Sequence, residues 1–506
     1  MNTLWPRAQI LHLSVTHTVS PLIGLLLFVS LVLMSWVGYL GSDDATYARG
    51  AYGWLEQFPY VGGHGTIRYT ITVPMALSFL TLGETEFAMA LPTLLYAAGL
   101  LLTLAYLCRR QGGPLAGLLI AVCLATNPLL VVWSSIACVD IVEAFFIFLS
   151  LAMFHRAGLE RRGSTGKLLL AGVFAGLGFL TRETTVFLLL CYGVLFLFGF
   201  GIGRWRYFLM AAGFLGVWLL EVLYLWFMTG DPLYRINISM NHDSTIDRSI
   251  DVAGNLIVHP WIDPLLVVLF NQEFALLFWL LPVAALLLLR DRAIPAQMRS
   301  LAILLLSMCA VWFLASAAAH TLLPLNSRYF LVSGIAATVI IGLSIHRSLA
   351  LKRRRAAWLL AFLLISGNLA GIYVENRNFM YGEHQLAEVA ARTDETVFTD
   401  PMTCHRAELL LRWQNAEADV CIDPVPPGGL FMFNPTRAAS PNRLMSEDVA
   451  GAYQPQPDWQ LVDESRPDPK YLGRLLTWLG VDSYLPGALK RNLAGGHPGV
   501  QIYRRP

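Results

Sequence analysis

The sequence predicts an α-helical polytopic membrane protein, with about eleven transmembrane helices and a small α/β domain at the C-terminus. Three observations predict this class. Of the 506 residues, 56% are apolar and only 14% are charged, whereas charged residues make up about a quarter of a soluble protein. The apolar residues are collected in runs that reach the roughly 17–25 residues needed to cross a bilayer. From about residue 375 onwards the composition becomes polar and rich in proline.

Nine apolar runs predict the eleven helices. Seven runs each predict one crossing, and two longer runs each predict two, because polar residues interrupt them near the middle. The first run is too long for the core of a signal peptide and has no clear cleavage site, so we assign it as the first helix. The single runs are 19–40, 87–107, 208–227, 274–289, 301–317, 329–345 and 357–373, and the interrupted runs are 115–154 and 168–200.

Lysine and arginine residues are concentrated in alternate loops between these helices. By the positive-inside rule the basic loops face the cytoplasm, which places the N-terminus inside and, after eleven crossings, the C-terminus outside. Residues 1–373 are therefore predicted to form a membrane domain in a bacterial inner membrane, with long outer loops at 41–85 and 230–271. Aromatic residues in the first of these loops suit short helices that lie in the membrane interface.

Residues 374–506 are predicted to form a soluble periplasmic domain. Two of the seven cysteines, Cys404 and Cys421, lie in it, and a disulfide between them is permitted outside the cytoplasm, although their spacing does not decide the matter. The pattern of apolar residues predicts strands at 396–399, 419–422 and 500–503, helices at 405–413 and 470–479, and a loop at 424–435.

Two adjacent acids, Asp43 and Asp44, directly follow the first helix and are the first candidates for chemistry. Adjacent carboxylates repel each other, which raises the pKa of one of them and favours a general base. The same Ser-Asp-Asp sequence before an apolar-periodic run also suits a helix N-cap. The local pattern alone leaves both interpretations open.

Ionisable residues near membrane depth are the second set of candidates, because a charge is costly there and is usually functional. Asp140, Glu143 and the pair Arg182-Glu183 lie where polar residues interrupt the two long apolar runs. Arg68, Arg182 and Arg328 are three of the six basic residues expected on the outer side. Arginine suits phosphate through two parallel hydrogen bonds, and the alternative for each residue is snorkelling or pairing with a nearby acid.

Four motifs in a fixed order resemble the membrane-embedded glycosyltransferases of the GT-C superfamily. The similarity is to the branch that contains protein O-mannosyltransferases, lipid A aminoarabinose transferases and rhizobial galacturonosyltransferase-like proteins, and it covers roughly residues 18–373. The first loop departs from the family, because Arg68 stands in 66–70 without the two prolines that often follow the basic residue. The motifs are Asp43-Asp44 with Tyr47, the stretch 127–146 with Asp140, the Gly-Leu to Thr-Arg-Glu turn at 176–183, and Arg328-Tyr329.

The resemblance implies an inverting glycosyltransferase that moves a sugar from a polyprenyl-phosphate donor to an envelope acceptor, which is a lipid, a glycan or a protein. It implies that Asp43 is the general base, with Asp44 tuning it or orienting the acceptor. Membrane lipids are expected partners and nucleic acid is not. No metal and no cofactor beyond the lipid-linked donor is expected, because a carboxylate can deprotonate a hydroxyl by itself. The implied substrate-binding residues are Tyr47, Arg68, Asp140, Arg182, Glu183, Arg328 and Tyr329.

Two other classes of protein were weighed against this interpretation. A transporter or flippase of a lipid-linked saccharide is the alternative, but such proteins tend to have paired repeats and charges at the bilayer midplane, and neither is clear here. The long first outer loop favours an enzyme instead. A metal-dependent oligosaccharyl transferase would need more acidic ligands and an Asp-x-Asp pattern, which the first outer loop lacks.

Overall fold

A computed structural model describes residues 21–160, 164–242, 262–319, 325–376, 379–438, 453–468, 470–487, 490, 493 and 498–506. Contacts divide the chain into two units. The first holds Met1–Trp36, Gly50–Ala76 and Leu91–Glu375, and the second holds Val37–Arg49, Leu77–Ala90 and Asn376–Pro506. The second unit therefore combines the C-terminal residues with two short segments at either end of the loop predicted at 41–85. The domain division at residue 373 stays a prediction.

Fifteen helices are described between residues 21 and 375. The loop predicted at 41–85 contains two of them, in agreement with the short helices expected there. In chain order they are α1 (Pro21–Met34), α2 (Asp43–Glu56), α3 (Tyr69–Leu82), α4 (Glu86–Ala125), α5 (Pro128–Trp133), α6 (Val139–Leu159), α7 (Thr165–Thr181), α8 (Val186–Leu197), α9 (Tyr207–Thr229), α10 (Tyr234–His242), α11 (Asp263–Phe270), α12 (Leu277–Leu289), α13 (Ala296–Ala319), α14 (Leu331–Ala350) and α15 (Arg354–Glu375).

Six of the described helices are long and apolar enough to cross a membrane, and five shorter apolar helices accompany them. The helices and the small sheet near the C-terminus confirm the predicted fold class, a helical polytopic membrane protein with a small α/β domain. The six long spans, each with any short 3₁₀ turn that leads into it, are Glu86–Ala125, Val139–Leu159, Arg204–Thr229, Ala296–Ala319, Ser327–Ala350 and Arg354–Glu375.

Both of the interrupted apolar runs break at polar residues. In the first run the side chain of Asn127 accepts a hydrogen bond from the backbone N–H of Leu130 at 3.0 Å and so caps the start of α5. In the second run the backbone turns extended at Arg182, with φ −159 and ψ 141, and α7 ends there. Helix α4 is also divided, because Gly113 has a non-helical backbone with φ 81 and ψ −175. Polar interruptions in an apolar run thus mark helix ends in this chain.

Helix packing in the first unit depends on small residues where α7 and α9 approach each other. A Cβ atom added at Gly172 would lie 1.9 Å from the carbonyl oxygen of Met210, and one at Gly213 would lie 2.2 Å from that of Leu169. Only glycine allows backbones to come this close, as is common between membrane helices. The contact holds the first half of α7, the helix that ends at Arg182, directly against α9.

The second unit contains a five-stranded sheet with the order β2-β1-β3-β5-β4. Strand β1 is parallel to both β2 and β3, whereas β5 is antiparallel to β3 and β4. The strands are β1 (Val397–Phe398), β2 (Val420–Cys421), β3 (Leu430–Phe433), β4 (Gln460–Ser465) and β5 (Val500–Arg504), and the helices are α16 (Tyr381–Arg392), α17 (Pro401–Trp413), α18 (Pro435–Ala438) and α19 (Tyr471–Trp478).

Two features of this unit differ from the sequence prediction. The segment 424–435 was predicted as a loop, yet it contains β3, the middle strand of the sheet. Leu430–Phe433 is apolar at all four positions, so it lacks the alternation of apolar and polar residues that marks a half-buried strand. Periodicity alone cannot assign so short an apolar run to a strand or to a helix. Strand β4 was not predicted either. Cys404 and Cys421 are free thiols, so the structure contains no disulfide between them.

Candidate functional site

The first unit contains a cavity, here called the first cavity, formed where four segments meet. The start of α6, the turn after α7, the C-terminal part of α13 and the turn before α14 each contribute side chains. Four of the sequence-predicted binding residues, Asp140, Arg182, Arg328 and Tyr329, lie together on its wall. The lining residues are Asp140, Glu143, Arg182, Thr184, Phe187, Trp312, Ser316, Arg328, Tyr329, Leu331 and Val332.

A buried ion pair between Arg182 and Asp140 forms one side of the first cavity. Both side chains are almost fully buried, with exposed fractions of 8% and 5%. Asp140 lies in the first turn of α6, where a helix stabilises negative charge, and Arg182 caps the C-terminal end of α7, where a helix stabilises positive charge. Each helix dipole thus attracts the charged side chain beside it. The pair fixes the position of the Arg182 guanidinium.

A second arginine faces the same carboxylate. Arg328 Nε lies 4.0 Å from Asp140 Oδ2, and its guanidinium carbon lies 5.6 Å from the centre of the Tyr329 ring. Arg182 packs over the same ring at 4.4 Å. The tyrosine is fixed in turn by its backbone oxygen, which accepts a hydrogen bond from Trp312 Nε1 at 2.8 Å. Two guanidinium groups therefore share one aromatic ring and one carboxylate.

Glu143 also lines the first cavity; the sequence places it among the ionisable residues near membrane depth, but it was not among the residues implied to bind substrate. Its Oε1 accepts hydrogen bonds from the hydroxyls of Thr184 and Thr185, both at 2.8 Å. The residue follows Asp140 by one helical turn, so it reaches the same cavity. The spacing of Asp140 and Glu143 on one helix face could have indicated this from the sequence. Trp312 and Ser316 could not have been found this way, because they come from a distant apolar helix.

Arg68 and Glu183 lie in a different polar cluster, which is organised by Arg235. The guanidinium of Arg235 is buried and donates to Glu221 at 2.7 Å and to Glu183 at 2.8 Å. It also donates to the backbone oxygens of Ile67 and Leu180. Arg68 is buried close enough to Glu183 to interact with its charge. The structure thus brings Arg68 and Glu183 together, but places neither on the wall of the first cavity.

The two adjacent acids at the start of α2 have different surroundings. Asp44 is buried, and its carboxylate accepts hydrogen bonds from the backbone N–H groups of Leu40 at 2.5 Å, Ser42 at 2.7 Å and Ala45 at 3.1 Å. Burial raises the pKa of the Asp44 carboxyl. Asp43, in contrast, is exposed. Asp44 therefore organises the turn before α2, and Asp43 is the carboxylate that a substrate can reach.

Asp43 lines another cavity, here called the second cavity, which lies wholly within the second unit. The loop before α2 and the first two turns of α2 form one wall, and the N-terminal half of α17 forms the other. Tyr47, which the resemblance implied as a binding residue, is buried and does not line this cavity. The lining residues are Gly41, Ser42, Asp43, Ala45, Thr46, Arg49, Met402, His405 and Arg406. Within the described residues, no group of three or more His, Cys, Asp or Glu could hold a metal ion.

Comparisons with known proteins agree on one class. The sequence model of the family described as dolichyl-phosphate-mannose-protein mannosyltransferase matches residues 69–226, which include Asp140 and Arg182. No curated protein matches the sequence. Among solved structures, ArnT from Cupriavidus metallidurans bound to undecaprenyl phosphate has a TM-score of 0.55 at 13% identity, covering 81% of this chain and 93% of that chain.

The oligosaccharyltransferase of Archaeoglobus fulgidus, in a complex with zinc and sulfate, also has a similar fold. Its TM-score is 0.51 at 15% identity, and the match covers 78% of this chain but only 61% of that chain. At such low identity these likenesses show the fold alone. Together, the family match and the shared fold place the chain in the GT-C superfamily of membrane glycosyltransferases, as the four motifs predicted.

Proposed function

We propose that the protein transfers a sugar from a polyprenyl-phosphate donor to a cell-envelope acceptor, with inversion at the sugar carbon, and that the first cavity binds the donor phosphate. One observation carries the proposal: the guanidinium groups of Arg182 and Arg328 both lie against the ring of Tyr329 and both face the Asp140 carboxylate. ArnT, which shares the fold, was solved with undecaprenyl phosphate bound.

The charges of the first cavity suit a leaving phosphate. The sugar leaves from a phosphate that is already a good leaving group, so the enzyme needs cations where negative charge develops. Guanidinium groups provide parallel N–H donors that match phosphate oxygens. Asp140 holds Arg182 in position before substrate arrives, so that the cost of ordering this side chain is met during folding. Arg328 is more exposed, at 22% of its side chain, and is the cation better placed to contact the lipid headgroup.

Asp43 is proposed as the general base that takes the proton of the acceptor hydroxyl. Its exposure and its place at the start of α2 support this role, as does the resemblance of the Asp43-Asp44 pair to the family motif. The hydroxyl oxygen attacks the sugar carbon, the bond from that carbon to the phosphate oxygen breaks, and the electron pair leaves on the phosphate. One displacement of this kind inverts the sugar carbon. We also propose that the reaction needs no metal.

The reaction is proposed to take place on the periplasmic face of a bacterial inner membrane. The distribution of basic residues supports this orientation, because the loops rich in arginine and lysine alternate with loops that have few. A polyprenyl-linked donor cannot leave the bilayer, so its enzyme must receive it from the membrane. The acceptor is then a molecule of the cell envelope that reaches the outer surface.

Replacement of Arg328 tests the proposed donor site. Arg328→Gln keeps polar atoms but removes the charge, and one hydrogen bond to a charged group contributes about 1.5–3 kcal/mol. We therefore expect kcat/KM for a polyprenyl-phosphate sugar to fall about ten- to a hundredfold. The matched control is Arg292→Gln, which removes an exposed arginine from a loop away from the first cavity. Unchanged kcat/KM in folded Arg328→Gln would overturn the assignment of the cavity.

A further inference from the structure

The second cavity contains a cation whose charge is not balanced by an ion pair. Arg406 is half-buried. Its guanidinium Nη1 donates a long hydrogen bond of 3.4 Å to the backbone oxygen of Leu40. No carboxylate of the described chain forms an ion pair with it. Two other arginines nearby differ: Arg49 pairs with Glu408 at 2.5 Å, and Arg412 pairs with Glu84 at 3.2 Å.

The position of Arg406 is fixed by the backbone around it. Helix α17 begins at Pro401 and is capped by Asp400, whose side chain accepts from the N–H of Thr403 at 2.8 Å. Gly41 allows the loop before α2 to lie directly against this helix. Its φ is +61, and a Cβ atom there would lie 2.8 Å from the carbonyl oxygen of Arg406. The backbone of Arg406 is thus held against the loop that leads to Asp43, and both side chains line the second cavity.

We propose that the second cavity binds an acceptor that carries an anionic group, a phosphate monoester or a carboxylate, and that Arg406 contacts this group. The inference rests on the proposed function, since it assigns Asp43 to the acceptor hydroxyl. A guanidinium matches both anions through two parallel hydrogen bonds, which fixes their orientation as well as their charge. His405, also on the wall of the cavity, lies next to Arg406 and is exposed.

The physical reason for an anion is the cost of the unbalanced charge. Burial lowers the pKa of Arg406 and the neighbouring charge of Arg437 lowers it further, so the opposing charges of Glu383 and Asp44 compensate this guanidinium only in part. An anion bound there supplies the missing partner. It also places a hydroxyl of the same acceptor near Asp43, which lines the same cavity. Arg406 would therefore distinguish acceptors and play no part in donor binding.

The test measures protection of Arg406 from an arginine reagent in the full-length protein. Phenylglyoxal modification is followed by peptide mass mapping, in the presence of octyl phosphate, octanoate or octanol at equal concentration. We expect at least one of the two anionic probes to slow modification of Arg406 several-fold, while octanol does not. Stronger protection by octyl phosphate indicates a phosphate acceptor, and stronger protection by octanoate indicates a carboxylate. Equal modification rates with all three probes would overturn the proposal.

A pair of variants on one helix provides the second measurement. Arg406→Gln should weaken binding of the protective probe about tenfold or more, whereas Arg412→Gln, which removes a paired arginine from the same helix, should leave it unchanged. Equal binding by both variants would contradict the assignment. Neither measurement needs donor lipid or turnover. Failure here therefore leaves the proposed transferase function intact, and failure of the Arg328→Gln test leaves the anion site intact.

Discussion

At the scale of single residues, the structure separates pairs that the sequence presents as equivalent. Asp43 and Asp44 are neighbours in sequence, but one is exposed and the other is buried with three backbone N–H donors. For Arg182 the alternative to phosphate binding was a pair with a nearby acid such as Glu183, and the acid that it contacts is Asp140, which lies in another helix. The residue types were predictable from charge at membrane depth. Their partners were not, because each partner comes from a distant segment.

Replacement of the two adjacent acids should therefore have different effects. Asp43→Asn keeps the shape and removes the proton acceptor, so turnover should fall about a hundred- to ten-thousand-fold with little change in thermal stability. Asp44→Asn leaves one acceptor oxygen for three donors, which should cost about 1–3 kcal/mol of stability. Turnover and melting temperature of both variants provide the test. Full activity in folded Asp43→Asn would remove this residue from the mechanism and leave Asp140 as the next candidate.

At the scale of elements, apolar runs with polar breaks predicted the helices well, and the short strands were predicted less well. The breaks near Asn127 and Arg182 lie where the backbone leaves the helix, because capping residues and ionisable groups cannot continue an apolar span. Strand β3 was mistaken for a loop, since four apolar residues between glycines and a proline have no periodicity to read. The first cavity itself, formed by four elements, could not be predicted, because helix packing decides which ends meet.

Close packing of α7 against α9 should be essential for positioning Arg182. Gly213→Val would force its side chain into the carbonyl oxygen of Leu169, and overpacking of this kind costs about 1–3 kcal/mol or more. Gly216→Val, in the same helix, is the matched control, because a Cβ there meets nothing within 4 Å. We expect Gly213→Val to lower both the melting temperature and turnover. Equal melting temperatures of the two variants would show that α7 and α9 can move apart without loss of stability, which would contradict the prediction.

At the scale of the whole molecule, the fold class and the superfamily followed from the sequence, but the composition of the second unit did not. Contacts assign the segments Val37–Arg49 and Leu77–Ala90 to the same unit as the C-terminal residues, so Asp43 belongs with α17. Sequence order separates them by more than 350 residues. Such long-range contacts leave no local pattern. This is why Arg406 was absent from the predicted site.

The proposed mechanism predicts that turnover does not depend on a divalent cation. The Archaeoglobus fulgidus oligosaccharyltransferase, which has a similar fold, was solved in a complex with zinc and sulfate. The mechanism proposed for this chain, in contrast, uses no metal ion. Here the leaving phosphate is proposed to be stabilised by Arg182 and Arg328, and the hydroxyl by Asp43. Transfer should therefore continue after dialysis against a strong chelator. Loss of transfer, with recovery on addition of manganese, would contradict the proposal and favour a metal-dependent oligosaccharyl transfer.

The orientation of the chain gives the last prediction. Basic residues cluster in the sequence at 347–355, between α14 and α15, and a loop of this composition stays on the cytoplasmic side. One further crossing by α15 would then place the C-terminal residues, including Arg406 and the acceptor cavity, in the periplasm. An alkaline phosphatase reporter fused after Pro506 should be active, and the same reporter fused after Arg355 should be inactive, because the enzyme matures only outside the cytoplasm. The opposite pattern would move the proposed reaction to the cytoplasmic face, where an envelope acceptor could not reach Asp43.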